Sequence, residues 1–164
     1  MKWWWWFLTV FLIAVIQTTF LKHFEIDGVT PNILIILAVI AIIFYNFEQI
    51  WIYLLFIGLI LDFFSDSWIG INLLALAVTA LVFNFIKIFF NRRNALTCIF
   101  LGFFELLFFY SLSIGFNFIF MKLNSLLNAN FIHSSLIFLC IGVFYNFLIF
   151  IPALFLWRFK FNVK

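Results

Sequence analysis

Charged side chains are scarce in this chain: Asp, Glu, Lys and Arg make up 9% of the 164 residues, whereas 68% are hydrophobic. Soluble domains are about half apolar and about one quarter charged. A water-soluble domain of this length could not bury so much Phe, Ile and Leu, because too much of its volume lies near the surface. The composition therefore excludes a soluble globular domain and predicts a membrane protein.

Cysteine and histidine are almost missing as well. Cys98 and Cys140 lie in apolar runs, so at most one disulfide could form, and nothing in their surroundings suggests it. His23 and His133 are isolated at the ends of apolar segments. Because a metal site needs several such ligands together, we predict no metal and no cofactor. Motifs of hydrolases, P-loop NTPases and dinucleotide-binding enzymes are also absent, which favours a non-catalytic protein.

Long apolar segments fill most of the sequence. A spanning helix needs about 20 apolar residues to cross about 30 Å of hydrocarbon. We predict an all-α fold, a bundle of six transmembrane helices in one domain over residues 1–164. The predicted spans are Trp3–Leu21, Pro31–Asn46, Ile50–Phe64, Trp68–Phe90, Ala95–Phe120 and Phe131–Trp157. Residues 47–49 are predicted to form a tight turn, and Pro152 to kink the last helix or end its regular part.

Basic residues predict the orientation of this bundle. Six spans place both termini and the loop at residues 91–94 on one side of the membrane. That side holds Lys2, Lys87, Arg92, Arg93, Arg158, Lys160 and Lys164, and the other holds Lys22 and Lys122. The positive-inside rule then predicts that both termini are cytoplasmic. The membrane itself is expected to be the cell inner membrane. Because topology accounts for the scattered basic residues, the net charge of +3 does not indicate binding to nucleic acid.

Polar residues inside apolar spans are costly and therefore informative. Glu105 lies ten residues into the fifth span, about 15 Å deep at 1.5 Å per residue, which is near the bilayer midplane. One hypothesis is a functional carboxylate that holds helices together or relays charge. The other is a neutral carboxyl that is hydrogen-bonded to a neighbour such as Asn84. Gly102, almost one turn earlier, would let another helix approach closely. Gln17 in the first span is predicted to bond across helices.

Two aspartates interrupt the sequence GLILDFFSDSWIGINLL at residues 58–74. Asp66 lies between two serines just before the fourth span, and we predict that it caps that helix. Asp62 lies one turn earlier. A helix through both residues would bring two like charges together, so the helix should end between them or one carboxyl should be neutral.

Small residues four apart indicate two further helix contacts. Ala75 and Thr79 form such a pair in the fourth span, and Ser111 and Gly115 form one in the fifth.

The order of these features is similar to that of a known family. Gln17 is followed by Pro31-Asn32-Ile33-Leu34, by Gly58-Leu59-x-x-Asp62 and by Gly70-x-Asn72-x-Leu74. Over essentially its whole length the chain resembles the MreD family of rod shape-determining membrane proteins. It differs at two positions: Asn32 stands where the family often has Asp, and Asp66 where it often has Gly.

This resemblance implies a fold similar to the substrate-binding membrane subunits of energy-coupling-factor vitamin transporters. It also implies a scaffold of the cell-wall elongation complex. Its partners would be an MreC-like bitopic membrane protein, an MreB-like actin homologue and a RodA-type polymerase with its transpeptidase. Apart from the resemblance, we expect contact with membrane lipid, and the sequence leaves open whether the chain forms a homodimer. The alternative is a vitamin-uptake subunit, although such subunits usually have Ala-x-x-x-Ala in their first helix and this chain has only Ala14 there. A lipid-handling protein is a third hypothesis, based on Glu105 and the abundance of aromatic residues.

Overall fold

The computed structural model describes residues 3–65, 68–90, 94–123 and 131–161. Six α-helices account for most of these residues: α1 Trp3–Thr19, α2 Ile33–Phe44, α3 Phe47–Phe64, α4 Ile71–Ile86, α5 Ala95–Leu123 and α6 Phe131–Phe161. Short 3-10 helices cover Leu21–Phe24 and Lys87–Phe89. Four segments are long and apolar enough to cross a membrane: Phe47–Phe64, Ile71–Phe89, Ala95–Leu123 and Ser135–Phe159. The predicted all-α membrane bundle is confirmed, with α1 and α2 as its shorter apolar helices.

Helix α2 is the centre of the bundle. It contacts each of the other five helices, and eight of its 12 residues are buried. All 12 residues are apolar, because a helix surrounded on every side has no face that must be polar. The two ends of α2, where backbone groups lack partners within the helix, therefore lie inside protein and need partners from other helices.

Several helix boundaries differ from the predicted ones for local reasons. The turn before α3 is only Tyr45 and Asn46, so residues 47–49 form the first turn of that helix. Helix α4 begins at Ile71, after Gly70 in a left-handed conformation with φ of 101°. Helix α6 continues through Pro152 to Phe161, so this proline does not end it. Because α3 ends at Phe64, no helix runs from Asp62 on towards Asp66, which lies outside the described residues.

Two glycines lie directly against a neighbouring helix. A Cβ built on Gly58 of α3 would lie 2.7 Å from the Leu73 Cα atom of α4. A Cβ on Gly102 of α5 would lie 2.2 Å from the ring of Phe150 on α6. Neither distance is compatible with a side chain, so these glycines bring α3 against α4 and α5 against α6.

Candidate functional site: the polar layer

Asp62 binds the first turn of the following helix. The carboxylate lies near the end of α3 and is only 2% exposed. Its Oδ2 accepts hydrogen bonds from the Gly70 N–H at 2.9 Å and the Leu73 N–H at 3.2 Å, and its Oδ1 accepts one from the Asn72 N–H at 2.8 Å. The Ile71 N–H donates to the Trp68 carbonyl instead. A carboxylate suits this position, because a helix N-terminus has unpaired N–H donors and a positive dipole end.

The side chain of Asn72 extends this corner to a third helix. Its Nδ2 donates to the Ser65 Oγ at 3.1 Å, and its Oδ1 accepts from the Ser113 Oγ of α5 at 3.4 Å. Asn72 thus ties the end of α3 and the start of α4 to α5.

The start of α2 is held by side chains of two other helices. The Asn146 Oδ1 of α6 accepts from the Asn32 N–H at 2.7 Å, and the Gln17 Oε1 of α1 accepts from the Leu34 N–H at 3.4 Å. The Asn32 side chain accepts from the Ile35 N–H at 3.1 Å. Pro31, just before, is buried, and since proline has no N–H it adds no donor that would need a partner.

Tyr110 joins these two groups into one layer. Its hydroxyl accepts from the Asn146 Nδ2 at 2.7 Å, and that Nδ2 also donates to the Gly142 carbonyl. Tyr110 lies three residues before Ser113 on α5, so the two side chains are about one turn apart. We call the following residues the polar layer: Gln17, Asn32, Asp62, Asn72, Tyr110, Ser113 and Asn146.

The sequence offers seven candidate residues for helix contacts or partner binding, and six of them lie in or beside this layer: Gln17, Pro31, Gly58, Asp62, Gly70 and Asn72. Sequence reasoning missed Tyr110, Ser113 and Asn146, although an Asn midway along an apolar helix is itself a signal. The oxygens of Asp62 and Asn146 accept from backbone N–H groups of α4 and α2. The chemistry of the layer is therefore the joining of helix ends to one another.

Glu105 is the seventh residue, and it lies apart from the layer. It is completely buried on α5, and neither carboxyl oxygen has a hydrogen-bond partner among the described residues. The predicted bond to Asn84 is not formed among the described residues. The Asn84 Oδ1 instead accepts from the Phe47 N–H at 3.3 Å and so caps α3. Among the described residues, Lys87 is a charged group that acts electrostatically on Glu105.

Lys87 itself caps the opposite end of α2. The side chain is 5% exposed, and its Nζ donates to the carbonyl oxygens of Ile42, at 3.0 Å, and of Tyr45. A cation at this position is favoured by the negative dipole end of the helix. The basic residue that served in the sequence as a topology signal thus also satisfies the last turn of α2.

Asn146 offers a test of the layer. Replacing it with Leu removes the partners of the Asn32 N–H and of the Tyr110 hydroxyl. We expect Asn146→Leu to cost about 2–4 kcal/mol, because each buried polar group left without a partner costs about 1–3 kcal/mol. Thermal unfolding can be followed with a thiol-reactive dye at the native Cys98, which is fully buried, after the exposed Cys140 is replaced with Ser.

The matched control is Asn117→Leu, on α5. The Asn117 side chain is half-buried and donates to the Ser113 carbonyl of its own helix, so among the described residues its loss breaks no hydrogen bond between helices. Equal unfolding temperatures for the two variants would contradict the role assigned to Asn146.

Comparison with known proteins identified no relative of this chain. No family model, no curated protein and no solved structure matches the chain.

Proposed function

We propose that this chain is a non-catalytic membrane scaffold of the MreD type, which acts in the cell-wall elongation complex and controls rod shape. The observation that carries the proposal is the corner formed by the resembling motifs. Gly58, Asp62, Gly70 and Asn72 meet at the α3–α4 junction, where Asp62 holds the backbone of α4 with both of its oxygens. This corner uses its polar groups to fix helix geometry, which is what a scaffold requires.

The partners in this proposal are the ones that the resemblance implies. They are an MreC-like bitopic membrane protein, an MreB-like actin homologue and a RodA-type polymerase with its transpeptidase. The proposed location is the cell inner membrane, with both termini in the cytoplasm. The distribution of Lys and Arg supports this orientation. In this orientation the polar layer would lie near the outer surface of the membrane and Lys87 near the inner one.

The cavity described between α3 and α4 does not have the properties of a vitamin-binding pocket. It has a volume of about 70 Å³, whereas pockets for small molecules measure about 300–1,000 Å³. Its lining is entirely apolar and consists of Phe47, Trp51, Leu54, Leu55, Leu73 and Ala77. Vitamins need polar groups for recognition, and this space offers none.

Depletion of the protein in its native cells tests the proposal. We expect rod-shaped cells to become round and wall synthesis to lose its normal pattern, because the elongation complex would lose a membrane component. The measurement is microscopy with a fluorescent wall precursor, with re-expression of the intact chain as the control. Unchanged shape together with a new vitamin requirement would refute the scaffold and favour uptake.

A further inference from the structure

Glu105 has no structural role that the fold accounts for. Its carboxyl is completely buried, and neither oxygen forms a hydrogen bond among the described residues. An acid inside a membrane span costs free energy, and such residues usually face a partner within the bundle and mark a functional site. A group that costs stability and secures no helix end is better explained by an activity of its own.

The register of α4 and α5 places Lys87 opposite Glu105. Helix α4 runs away from the polar layer and α5 returns towards it, and the ring centroids of Phe83 and Phe108 are 6.0 Å apart. Lys87 follows one turn after Phe83, whose carbonyl accepts from the Lys87 backbone N–H. Glu105 lies three residues before Phe108, which is about one turn in the same direction. Because residues three and four apart share a helix face, Lys87 and Glu105 occupy facing positions.

The two side chains also lean towards each other along the helices. Helical side chains point towards the N-terminus of their own helix, so the Glu105 side chain leans towards the Lys87 end of the bundle and Lys87 leans into the bundle. Lys87 is only 5% exposed, so its ammonium lies inside protein. It acts electrostatically on Glu105, in agreement with this geometry.

Within the parts of the helices that the structure describes, no other ionisable side chain faces Glu105. All 12 residues of α2 are apolar, and Ile71–Ile86 of α4 contain no ionisable residue. The ionisable groups with described side chains on α5 and α6 either bond elsewhere or lie about two turns or more away: Tyr110 and Tyr145 in the first case, Cys98, Lys122, Cys140 and Arg158 in the second.

We propose that Glu105 binds and releases a proton, and that this proton determines whether Lys87 caps α2. In this structure Lys87 donates to the carbonyl oxygens of Ile42 and Tyr45, which is the arrangement that suits a neutral Glu105. When the carboxyl passes its proton to water, the buried carboxylate that remains needs a counter-charge. The ammonium of Lys87 on the facing helix supplies this charge and leaves the carbonyl oxygens of α2.

The turn between α2 and α3 is the part of the surface that responds. Tyr45 and Asn46 form this turn and are exposed, and the Tyr45 carbonyl is one of the two oxygens that Lys87 binds. The Phe47 N–H is held separately by Asn84, so α3 keeps its start when Lys87 moves. Loss of a proton inside the bundle therefore loosens one turn at its surface.

Hydrogen exchange of the purified full-length chain in liposomes tests this coupling. The unmodified chain and Glu105→Gln, whose side chain cannot ionise, are compared at the same pH over a series from acidic to alkaline, so that the intrinsic pH dependence of exchange cancels. We expect the ratio of the two exchange rates in residues 41–49 to rise severalfold with pH, because only the unmodified carboxyl loses its proton. A ratio that does not change with pH would overturn the proposal.

The matched control repeats this comparison in a Lys87→Met background. Without Lys87 there is no cap to be lost, so the ratio should be independent of pH. If the ratio still rose severalfold, Glu105 would loosen the turn by another route, and the role proposed for Lys87 would be wrong.

Infrared spectroscopy of the unmodified chain measures the proton itself and requires no Lys87 variant. We expect a carboxyl C=O stretching band that shifts in D₂O, is missing from Glu105→Gln, and disappears over the pH range in which the exchange ratio rises. A band that persists at every pH, or one that never forms, would overturn the proposal. Neither measurement depends on the proposed scaffold function.

Discussion

Asp62→Ala should lower the unfolding temperature of this protein by about 6–20 °C. The substitution leaves the N–H groups of Gly70, Asn72 and Leu73 without their acceptor at a buried corner. At about 1–3 kcal/mol for each buried donor without a partner, the expected cost is about 3–5 kcal/mol. The dye assay at Cys98 measures this change directly, because Cys98 lies in the core and reacts only when the bundle opens.

Two further variants make this result specific to the carboxylate. Asp62→Asn retains one oxygen acceptor but places an NH₂ group opposite backbone N–H donors, so it should recover only part of the lost stability. Asp66→Gly introduces the residue that the MreD family often has there, and we expect a smaller effect from it than from Asp62→Ala. If Asp62→Ala and Asp66→Gly proved equally harmless, the motif would have no structural role.

The same series bears on function. If the chain is a scaffold whose motif serves to fix the α3–α4 corner, loss of shape control in cells should follow loss of stability across Asp62→Asn and Asp62→Ala. Co-purification with an MreC-like protein should decline in the same order. A variant that folds normally but no longer controls cell shape would show that Asp62 contacts a partner.

Glu105→Met should have the opposite effect and stabilise the protein by about 1–3 kcal/mol. The carboxyl is fully buried and has no hydrogen-bond partner among the described residues, so its desolvation cost is not offset by a bond. Replacement of such a group by an apolar side chain of similar volume is often stabilising. Methionine suits this site because its flexible chain fills irregular space. The measurement is again the unfolding temperature reported by Cys98.

The control for Glu105→Met is Glu105→Gln, which keeps a polar group in the same buried position and should therefore stabilise less. A lower unfolding temperature for Glu105→Met would mean that the interaction of Glu105 with Lys87 outweighs the cost of burial. Complementation in depleted cells completes the test. Normal cell shape with the more stable Glu105→Met chain would exclude a charge-dependent role, whereas loss of function in a more stable protein would identify Glu105 as a functional carboxyl.

Much of the fold could be predicted because lipid exposure imposes simple rules on composition and segment length. The high apolar content and the spacing of the apolar runs correctly indicated an all-α membrane bundle with six helices. The wrong boundaries were at helix ends, where single hydrogen bonds determine which residue is the first or the last of a helix. Residues 47–49 belong to α3 because the Gln49 side chain accepts from the Asn46 N–H and the Asn84 side chain accepts from the Phe47 N–H. The Asn46-x-x-Gln49 spacing is a capping-box signature that sequence reasoning missed, whereas the contact with Asn84, 37 positions away, has no local signature.

The candidate site was predictable only in part. Gln17, Asp62 and Asn72 stand out because polar residues in apolar surroundings are costly, and such residues need partners. Which partners they have depends on helices far apart in the chain: Asn146 bonds the N–H of Asn32, 114 positions away. Lys87 likewise was a topology signal in the sequence, and only its position against the last turn of α2 makes it a cap.

The sequence by itself thus determined that this chain is a helical membrane protein. It also determined that a few polar side chains lie in apolar segments, where they need hydrogen-bond partners within the protein. The tertiary structure determined which hydrogen-bond partners those polar side chains have. It surrounds α2 with the other five helices, so that both ends of that helix depend on side chains from elsewhere, and it turns Asp62 towards the N–H groups of α4. It also leaves Glu105 without a hydrogen bond among the described residues and extends α5 and α6 beyond the polar layer. The physical reason is that hydrophobicity is non-directional and sets only which segments are buried, whereas hydrogen bonds need particular atoms within about 3 Å.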